Sequence, residues 1–396
     1  MLALCAELGE PQRSWRSLHV VGTNGKSSVT VMTAALLEHA GISSGACISP
    51  HTSRWRERTR VAGAELDPDA FALATAEVAA AIERVEGALG EDARITQFEA
   101  AIAVSFVAFR NEGVEVAVIE AGLGGRLDAT NVIPSLATAL TSVGLDHTDW
   151  LGETVEEIAA EKLAVLRPGT KLVTGALPPA IEVIAREHAG ALGAELIAAP
   201  PAPAGLVPEA FGPYLRRNAG VALELAAIAA GRRPAEEQAR AAFAEAQLHG
   251  RFELVPGDPP VVFDAAHNRD GAAALAEALR PLTGSSEAVV CVSVLADKDA
   301  AGIAAELAPL AAVAVCTAAD PGPAMGRPGA VALEPEQLAA HFRAAGVECE
   351  VLADPRAACE RAIELARNRN GLAVFAGSHY LLRHAWTVKR DQSSSR

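Results

Sequence analysis

Leu18-His19-Val20-Val21-Gly22-Thr23-Asn24-Gly25-Lys26-Ser27-Ser28-Val29 is the stretch on which the reading of this chain turns. Four residues with apolar ends read as a short buried strand. The turn carries two glycines, a lysine and two serines. Val29, Met32 and Leu36 then fall on one face of a helix that Gly41 can end. Backbone N–H groups at such a turn and the helix N-terminus point at phosphate oxygens, Lys26 adds a point charge, and a hydroxyl can reach Mg²⁺. The spacing is not that of the common eight-residue phosphate loop, because Val20 stands where its first glycine would fall. A glycine turn with an incidental lysine is the competing reading. The coincidence of strand, glycines, lysine, hydroxyls and helix favours nucleotide binding over it.

Further strands are expected at Ala46–Ser49, Val114–Glu120, Leu136–Leu140 and Lys171–Thr174, with helical segments between them. That alternation predicts a mainly parallel sheet. A Pro/Ala-rich loop follows Ala198, then a helix over about Tyr214–Ala230 and a polar stretch, so a first domain is expected over residues 1–249. A second α/β rhythm (Val261–Asp264, a helix from Gly271, Ala288–Leu295, Ala312–Cys316, Leu372–Ala376) predicts a smaller domain over 250–390. Residues 391–396 are polar and Ser-rich and read as a disordered tail. No internal repeat is evident.

The 396 residues suit two or three domains, and a core low in aromatics (4%) and rich in alanine suits helices on parallel strands. With 34 Lys+Arg against 49 Asp+Glu, the formal charge of −15 excludes a nucleic-acid-coating protein or one that binds anionic membranes. No apolar run is long enough to span a bilayer, and the start lacks the basic and apolar regions of a secretory signal, so a cytoplasmic location is expected. The six cysteines contain no C-x-x-C pair and read as reduced structural thiols.

A phosphate loop needs a carboxylate for its metal, usually at a strand end. Glu120 closes Val116–Ile119, and Gly122, Gly124 and Gly125 follow where the backbone must approach something closely. Asp146-His147 lies in a glycine-bearing loop, where the imidazole could complete a Mg²⁺ shell or cap a turn. Taken alone, Glu161-Lys162 on a helix reads as a solvated pair.

These segments share one order with Ser49-Pro50-His51, Arg56-Glu57-Arg58, Phe98-Glu99, Glu120-Ala-Gly-Leu-Gly-Gly-Arg-Leu-Asp-Ala-Thr-Asn131, Arg251-Phe-Glu, Asp264-Ala-Ala-His-Asn268, Ala296-Asp-Lys-Asp299 and Gly377-Ser378. That order resembles the folylpolyglutamate synthase and dihydrofolate synthase family of the Mur ligase superfamily, from about residue 3 to residue 386. The resemblance implies a Mur-ligase-like phosphate-loop ATPase domain with a mainly parallel sheet, followed by a smaller Rossmann-like α/β domain. It implies an ATP-dependent ligase that activates a pterin carboxylate as an acyl phosphate and joins it to L-glutamate. The acceptor would be dihydropteroate or a reduced folate.

Carried over by position, the resemblance makes Lys26, Glu120, His147 and Lys162 the catalytic set and Ser28, Ser49, Glu120 and His147 the ligands of Mg²⁺, with two ions expected. Lys162 matches a lysine that is carbamylated in this family. Thr23, Asn24, Gly25, Lys26, Ser27, Ser28, Asn218, Arg251, Asp264 and His267 match ATP-binding positions, some from the second domain, so that domain closure would assemble the site. Thr96, Gln97, Phe98, Glu99, Leu127, Asp128 and Ala129 match segments lining the pterin pocket. A monomer without nucleic-acid or membrane partners is implied.

The chain departs from the family pattern with Ser27, Ala265 and Ser293 in place of Gly, Arg269 in place of Pro, and Tyr214-Leu215 in place of His-Gln. Ala265 removes a glycine from a loop that could require positive φ. Only 21 residues precede Gly22, which disfavours a cell-wall Mur ligase with its leading nucleotide-sugar domain; set against the family's usual additional helical segment, the expectation is either a misplaced start or a missing part of the pterin wall. A non-catalytic binder of nucleotide or folate is the alternative of another class. The joint presence of Lys26, Glu120, His147 and Lys162 argues against it.

Overall fold

The computed structural model describes residues 1–90, 94–283, 288–320 and 330–394. It divides into two units, Met1–Glu209 with Leu215–Gln247, and Ala210–Tyr214 with Leu248–Arg396. In the first, strands β1 (Arg16–Val21), β2 (Ser44–Cys47), β3 (Thr59–Val61), β4 (Ala64–Glu65), β5 (Val116–Glu120), β6 (Ser135–Leu140), β7 (Lys171–Thr174) and β8 (Glu195–Ala198) form one sheet. Their order is β4-β3-β2-β5-β1-β6-β7-β8. The β2–β3 and β3–β4 pairings are antiparallel and the rest are parallel. β1 is buried from Ser17 to Val21, as a strand covered on both faces must be.

The chain leaves β1 toward β2 on one side and later returns to β6 on the other, so the carboxyl end of β1 is a topological switch point, where open α/β sheets bind ligands. Gly25, at φ 88°, turns the chain into the helix Lys26–His39. The expected strand Ala46–Ser49 is observed as Ser44–Cys47, leaving Ile48 and Ser49 in the loop. Pro50 has no N–H to extend a ladder, and the Ser49 N–H is taken by a side chain rather than by a neighbouring strand.

The second unit holds β9 (Glu253–Val255), β10 (Val261–Phe263), β11 (Ala288–Val292), β12 (Ala311–Cys316), β13 (Glu348–Val351) and β14 (Ala373–Ala376). They are ordered β13-β12-β11-β14-β10-β9, parallel except for β9. Alanines and aliphatics dominate both cores, with Trp15 edge-on to Phe106 and Phe109, and Phe263 stacked on Phe375. The five short strands β3, β4, β8, β9 and β13 lie outside the sequence-predicted set. The expectation of a disordered tail needs correction over Asp391–Ser394, because the last helix runs from His379 to Ser394. Asp391 pairs with Arg356 at 2.9 Å, a partner that composition alone does not reveal. Residues 395–396 lie outside the described residues. Among those described, no helix is long and apolar enough to cross a membrane.

Candidate active site

The site is built where β1, β2, β5 and β6 end. Parallel register sets Val20 opposite Glu120, so the strand that leads into the glycine turn and the strand that ends in the carboxylate finish side by side. Glu120 is buried, and its carboxylate bridges two neighbouring loops. Oε1 accepts from Ser27 Oγ at 3.1 Å and Oε2 from the Ser49 N–H at 3.1 Å. The serine that replaces the family's usual glycine thus ties the helix start to the acid.

The glycine turn is clamped by residues that sequence reasoning missed. Thr23 N–H donates to Ser142 O at 2.8 Å, Thr23 Oγ1 accepts from the Gly144 N–H at 3.1 Å, and Asn24 N–H donates to Ser142 Oγ at 2.9 Å. Thr141 Oγ1 donates to Asn24 O at 2.6 Å. Their one signal in the sequence is a Thr-Ser pair straight after the apolar run of β6. A Cβ on Gly22 would fall 2.0 Å from Thr141 Oγ1, and one on Gly25 would fall 2.8 Å from Asn218 Oδ1. Both glycines stand at positive φ and are required on two counts. Asn218 is therefore brought onto the loop.

Lys26 Nζ folds back onto the carbonyls of Gly22 and Thr23, at 3.1 and 3.2 Å. An incoming phosphate oxygen would compete for the same ammonium. Ser28 is fully buried and its Oγ makes no hydrogen bond, as expected of an oxygen held for a cation. Two serine hydroxyls, one carboxylate and an imidazole suit Mg²⁺, which keeps several waters and takes further oxygens from substrate phosphates. No three His, Cys, Asp or Glu side chains gather as a metal site among the described residues.

The solvated-pair reading of Glu161-Lys162 is overturned. Lys162 is 4% exposed and Glu161 pairs with Arg126 at 3.1 Å. The cause is the glycine-rich loop packed on the end of the helix Val155–Leu163. A Cβ on Gly125 would fall within 2.8 Å of the carbonyls of Glu161 and Lys162, and Arg126 N–H donates to Glu161 O at 3.2 Å. Burial first, then the Lys26 charge, push the Lys162 ammonium down to about 7, against the opposing pull of Asp146, Asp128 and Glu161. His147 stands at φ 52° ahead of the short helix Thr148–Leu151 and its side chain does not cap it; Asp146 Oδ1 instead accepts the His147 N–H at 2.9 Å.

In the segments matched to the pterin wall, polar groups are already engaged in shaping the backbone. Thr96 and Glu99 form the capping box of the helix Gln97–Asn111. Asp128 accepts the N–H groups of Leu123 and Thr130, at 2.8 and 2.9 Å. The Phe98 ring lies where a Cβ on Gly122 would go, so Phe98 packs on the start of the glycine-rich loop after β5. Ala129 is buried, whereas Leu127 is 91% exposed.

Arg251, Asp264 and His267 belong to the second unit. Asp264 accepts from Tyr214 Oη at 2.7 Å and from the N–H groups of Phe252 and Ala266, both at 2.8 Å. Burial, the largest influence, raises its carboxyl above the ordinary range although these donors oppose it. Tyr214, a departure from the family pattern, is thereby the partner of a matched ATP residue. His267 Nδ1 lies 2.8 Å from Ala265 O. Ala265 is not among the residues with positive φ, so the missing glycine leaves no strain there.

Residues 250–379 match the family model for the Mur ligase glutamate ligase domain. Folylpolyglutamate synthase of Lacticaseibacillus casei is 33% identical over 333 residues, covering 78% of this chain and 77% of that protein. The dihydrofolate synthase/folylpolyglutamate synthase of Bacillus subtilis is 32% identical, covering 75% of each. The chain belongs to the folylpolyglutamate synthase and dihydrofolate synthase family. Solved members of this family superpose over nearly the whole chain. Mycobacterium tuberculosis folylpolyglutamate synthase complexed with ADP gives a TM-score of 0.88 at 28% identity, covering 98% of this chain and 93% of that one. E. coli FolC in complex with DHPP and ADP gives 0.82 at 28%, covering 99% and 92%. The bifunctional Yersinia pestis enzyme complexed with AMPPNP and Mn ion gives 0.81 at 28%, covering 98% and 92%.

Two expectations follow from this geometry. Gly22→Ala forces the loop off Thr141 and weakens nucleotide binding by about tenfold or more, whereas Gly190→Ala, which meets nothing within 4 Å, leaves it unchanged; titration with a fluorescent ADP analogue reads both. In carbon-dioxide-depleted buffer, Lys162 is protonated in the unfolded chain up to about its ordinary 10.5 but in the folded protein only up to about 7. The unfolded state thus binds more protons over that interval, and stability from this group rises with pH between the two values. Urea midpoints of Lys162→Met should rise less steeply from pH 7 to 9 than those of the unaltered protein; parallel slopes would show that the lysine is not buried as a cation.

Proposed function

We propose that this protein is an ATP-dependent ligase that joins L-glutamate to dihydropteroate, to a reduced folate, or to both. The observation that carries the reading is the buried Glu120 carboxylate locked between the lysine-bearing phosphate loop and Ser49, with Ser28 Oγ of the same loop buried and without a hydrogen bond. Family membership and solved relatives in complex with ADP, with DHPP and with AMPPNP and Mn ion support it.

In the chemistry this implies, an acceptor carboxylate oxygen attacks the γ-phosphorus of ATP, and the bond to the bridging oxygen of ADP breaks. The glutamate amine then attacks the acyl carbon, phosphate leaves, and the amine loses a proton. Lys26 Nζ would exchange its two carbonyl partners for phosphate oxygens, and the N–H groups of residues 25–28 would hold the phosphate chain. Ser28, Ser49, Glu120 and His147 are the proposed ligands of Mg²⁺, which supplies charge neutralisation to the transferring phosphoryl group when bound. Asn218, Arg251, Asp264 and His267 are proposed as further nucleotide contacts. Thr96–Glu99 and Leu127–Ala129 are proposed as the pterin wall, with Phe98 and the exposed Leu127 as its apolar surfaces.

Lys162 fits the proposed carbamylation because its amine is buried and easily made neutral. The neutral nitrogen forms a bond to the carbon of CO₂ and gives up a proton, leaving a carbamate anion that could share in holding a second ion. A monomer in the cytoplasm, without nucleic-acid or membrane partners, completes the proposal; the net charge of −15 supports the last two points.

Incubation of the purified protein with ATP, Mg²⁺, glutamate and either acceptor should release phosphate only when acceptor is present. Lys26→Ala and Glu120→Ala should lower that rate by about a hundredfold or more with the circular dichroism spectrum unchanged. No acceptor-dependent release with either pterin substrate would overturn the ligase reading.

A further inference from the structure

His19 is a polar residue buried in the middle of the central strand, flanked in register by Ile119 of β5 and Thr138 of β6. Its ring is fully enclosed, and nothing in the proposed chemistry uses it. Its Nε2 lies 2.8 Å from Thr130 Oγ1, and Thr130 Oγ1 lies 2.5 Å from Asp128 Oδ1. The direction of this chain follows from donor inventory. An ionised carboxylate only accepts, so the single hydroxyl proton of Thr130 goes to Asp128, and Thr130 Oγ1 must then accept from His19. The imidazole is therefore the tautomer protonated at Nε2, and its Nδ1 is buried without a hydrogen bond. Burial foremost, and the Arg167 charge, push the imidazolium down to about 3, so the ring stays neutral and the polarity of the chain is fixed at any ordinary pH.

The carboxylate at the end of the chain is the organiser of the loop after β5. Asp128 Oδ1 also accepts the Thr130 N–H, and Oδ2 accepts the Leu123 N–H, across the glycines that lie between. Arg167 secures the far side of the same loop through the Asn131 carbonyl and side-chain oxygens and the Ile133 carbonyl, and Asn131 Nδ2 returns to Arg126 O. Asp128 thus stands at the junction between a buried hydrogen-bond chain rooted in the central strand and the exposed tip at Leu127.

We propose that His19 and Thr130 are positioning residues that fix the Asp128 carboxylate, and with it the Leu127–Ala129 segment, for binding of the pterin acceptor. The inference rests on the assignment of that segment to the pterin wall. Neither residue touches the phosphate loop's lysine or the proposed metal ligands in any contact described above. Their effect should consequently appear in acceptor affinity and not in nucleotide affinity or turnover.

The test uses the full-length protein in the glutamate-ligation assay, with KM for the pterin acceptor, KM for ATP and kcat measured separately. Thr130→Val, which keeps the shape and deletes the hydroxyl, should raise the acceptor KM by about tenfold while ATP KM and kcat stay within about twofold. Thr130→Ser should restore the acceptor KM. His19→Gln, whose side-chain amide can donate from the place of Nε2, should stay close to the unaltered protein, and His19→Leu should match Thr130→Val. In the Thr130→Val background the His19→Gln and His19→Leu changes should become equivalent, because the relay is already cut. Folded Thr130→Val with an unaltered acceptor KM, or with acceptor KM, ATP KM and kcat all displaced alike, overturns the proposal. Should Thr130→Val fail to fold, the His19→Gln and His19→Leu pair reads the same relay from its other end, and equal acceptor KM values for those two overturn it. Asp128→Asn separates the two levels. If it leaves acceptor KM unchanged, the pterin assignment itself fails; if it raises acceptor KM while Thr130→Val does not, the positioning inference alone fails.

Discussion

The arrangement depends on one pairing: β5 lies parallel to β1 with Glu120 opposite Val20. A shift of one residue would turn Glu120 to the other face of the sheet and break both of its links, to Ser27 and to the Ser49 N–H. Because β1 and β5 are buried on both faces, apolar packing specifies that register strongly. Packing energy is thereby converted into the placement of a single buried carboxylate. The remaining parts attach to the same strand ends: the Thr141-Ser142 clamp from β6, Ser49 from the loop after β2, and the glycine-rich stretch that runs from Glu120 onto the helix bearing Lys162.

A net charge of −15 sits uneasily with substrates that are all anions. The structure resolves this locally. Lys26 and Lys162 stand close enough for the first to depress the second, and Lys26 opens the helix Lys26–His39, whose N-terminus carries the positive end of the helix dipole. Burial and the nearby Lys26 make the Lys162 charge costly even though Asp128, Asp146 and Glu161 favour it, and a lysine desolvated in this way readily exchanges its cation for a neutral amine. Attraction for phosphate therefore resides in Lys26 and the start of its helix rather than in the overall field.

How much of this was legible in the sequence depended on the range of the interaction. The phosphate loop was legible because strand, turn chemistry and helix lie within a dozen residues and each carries its own local signal. Glu120 was legible as a strand-end acid. Lys162 was not, since its burial is created by Gly125, a residue far away in the chain whose lack of a side chain lets the loop close on the helix. The clamp of Thr141 and Ser142 and the chain from His19 through Thr130 were missed for the same reason: hydroxyls have no periodicity, and only the register of β1 against β5 and β6 brings them to their partners. Tyr214 shows the converse, a departure from pattern that the fold turns into a hydrogen bond to Asp264. The polar tail misled because one ion pair at Asp391 accompanies a helix that composition argued against.

The central claim is that the acceptor carboxylate is activated by direct phosphoryl transfer from ATP. Ligation with a pterin acceptor whose carboxylate carries oxygen-18 tests it most directly, by mass analysis of the phosphate released. Attack by that carboxylate followed by amine displacement leaves one labelled oxygen in each phosphate for each amide formed. Amide formation with unlabelled phosphate would contradict the account, because the carboxylate oxygen would then never have been bonded to phosphorus.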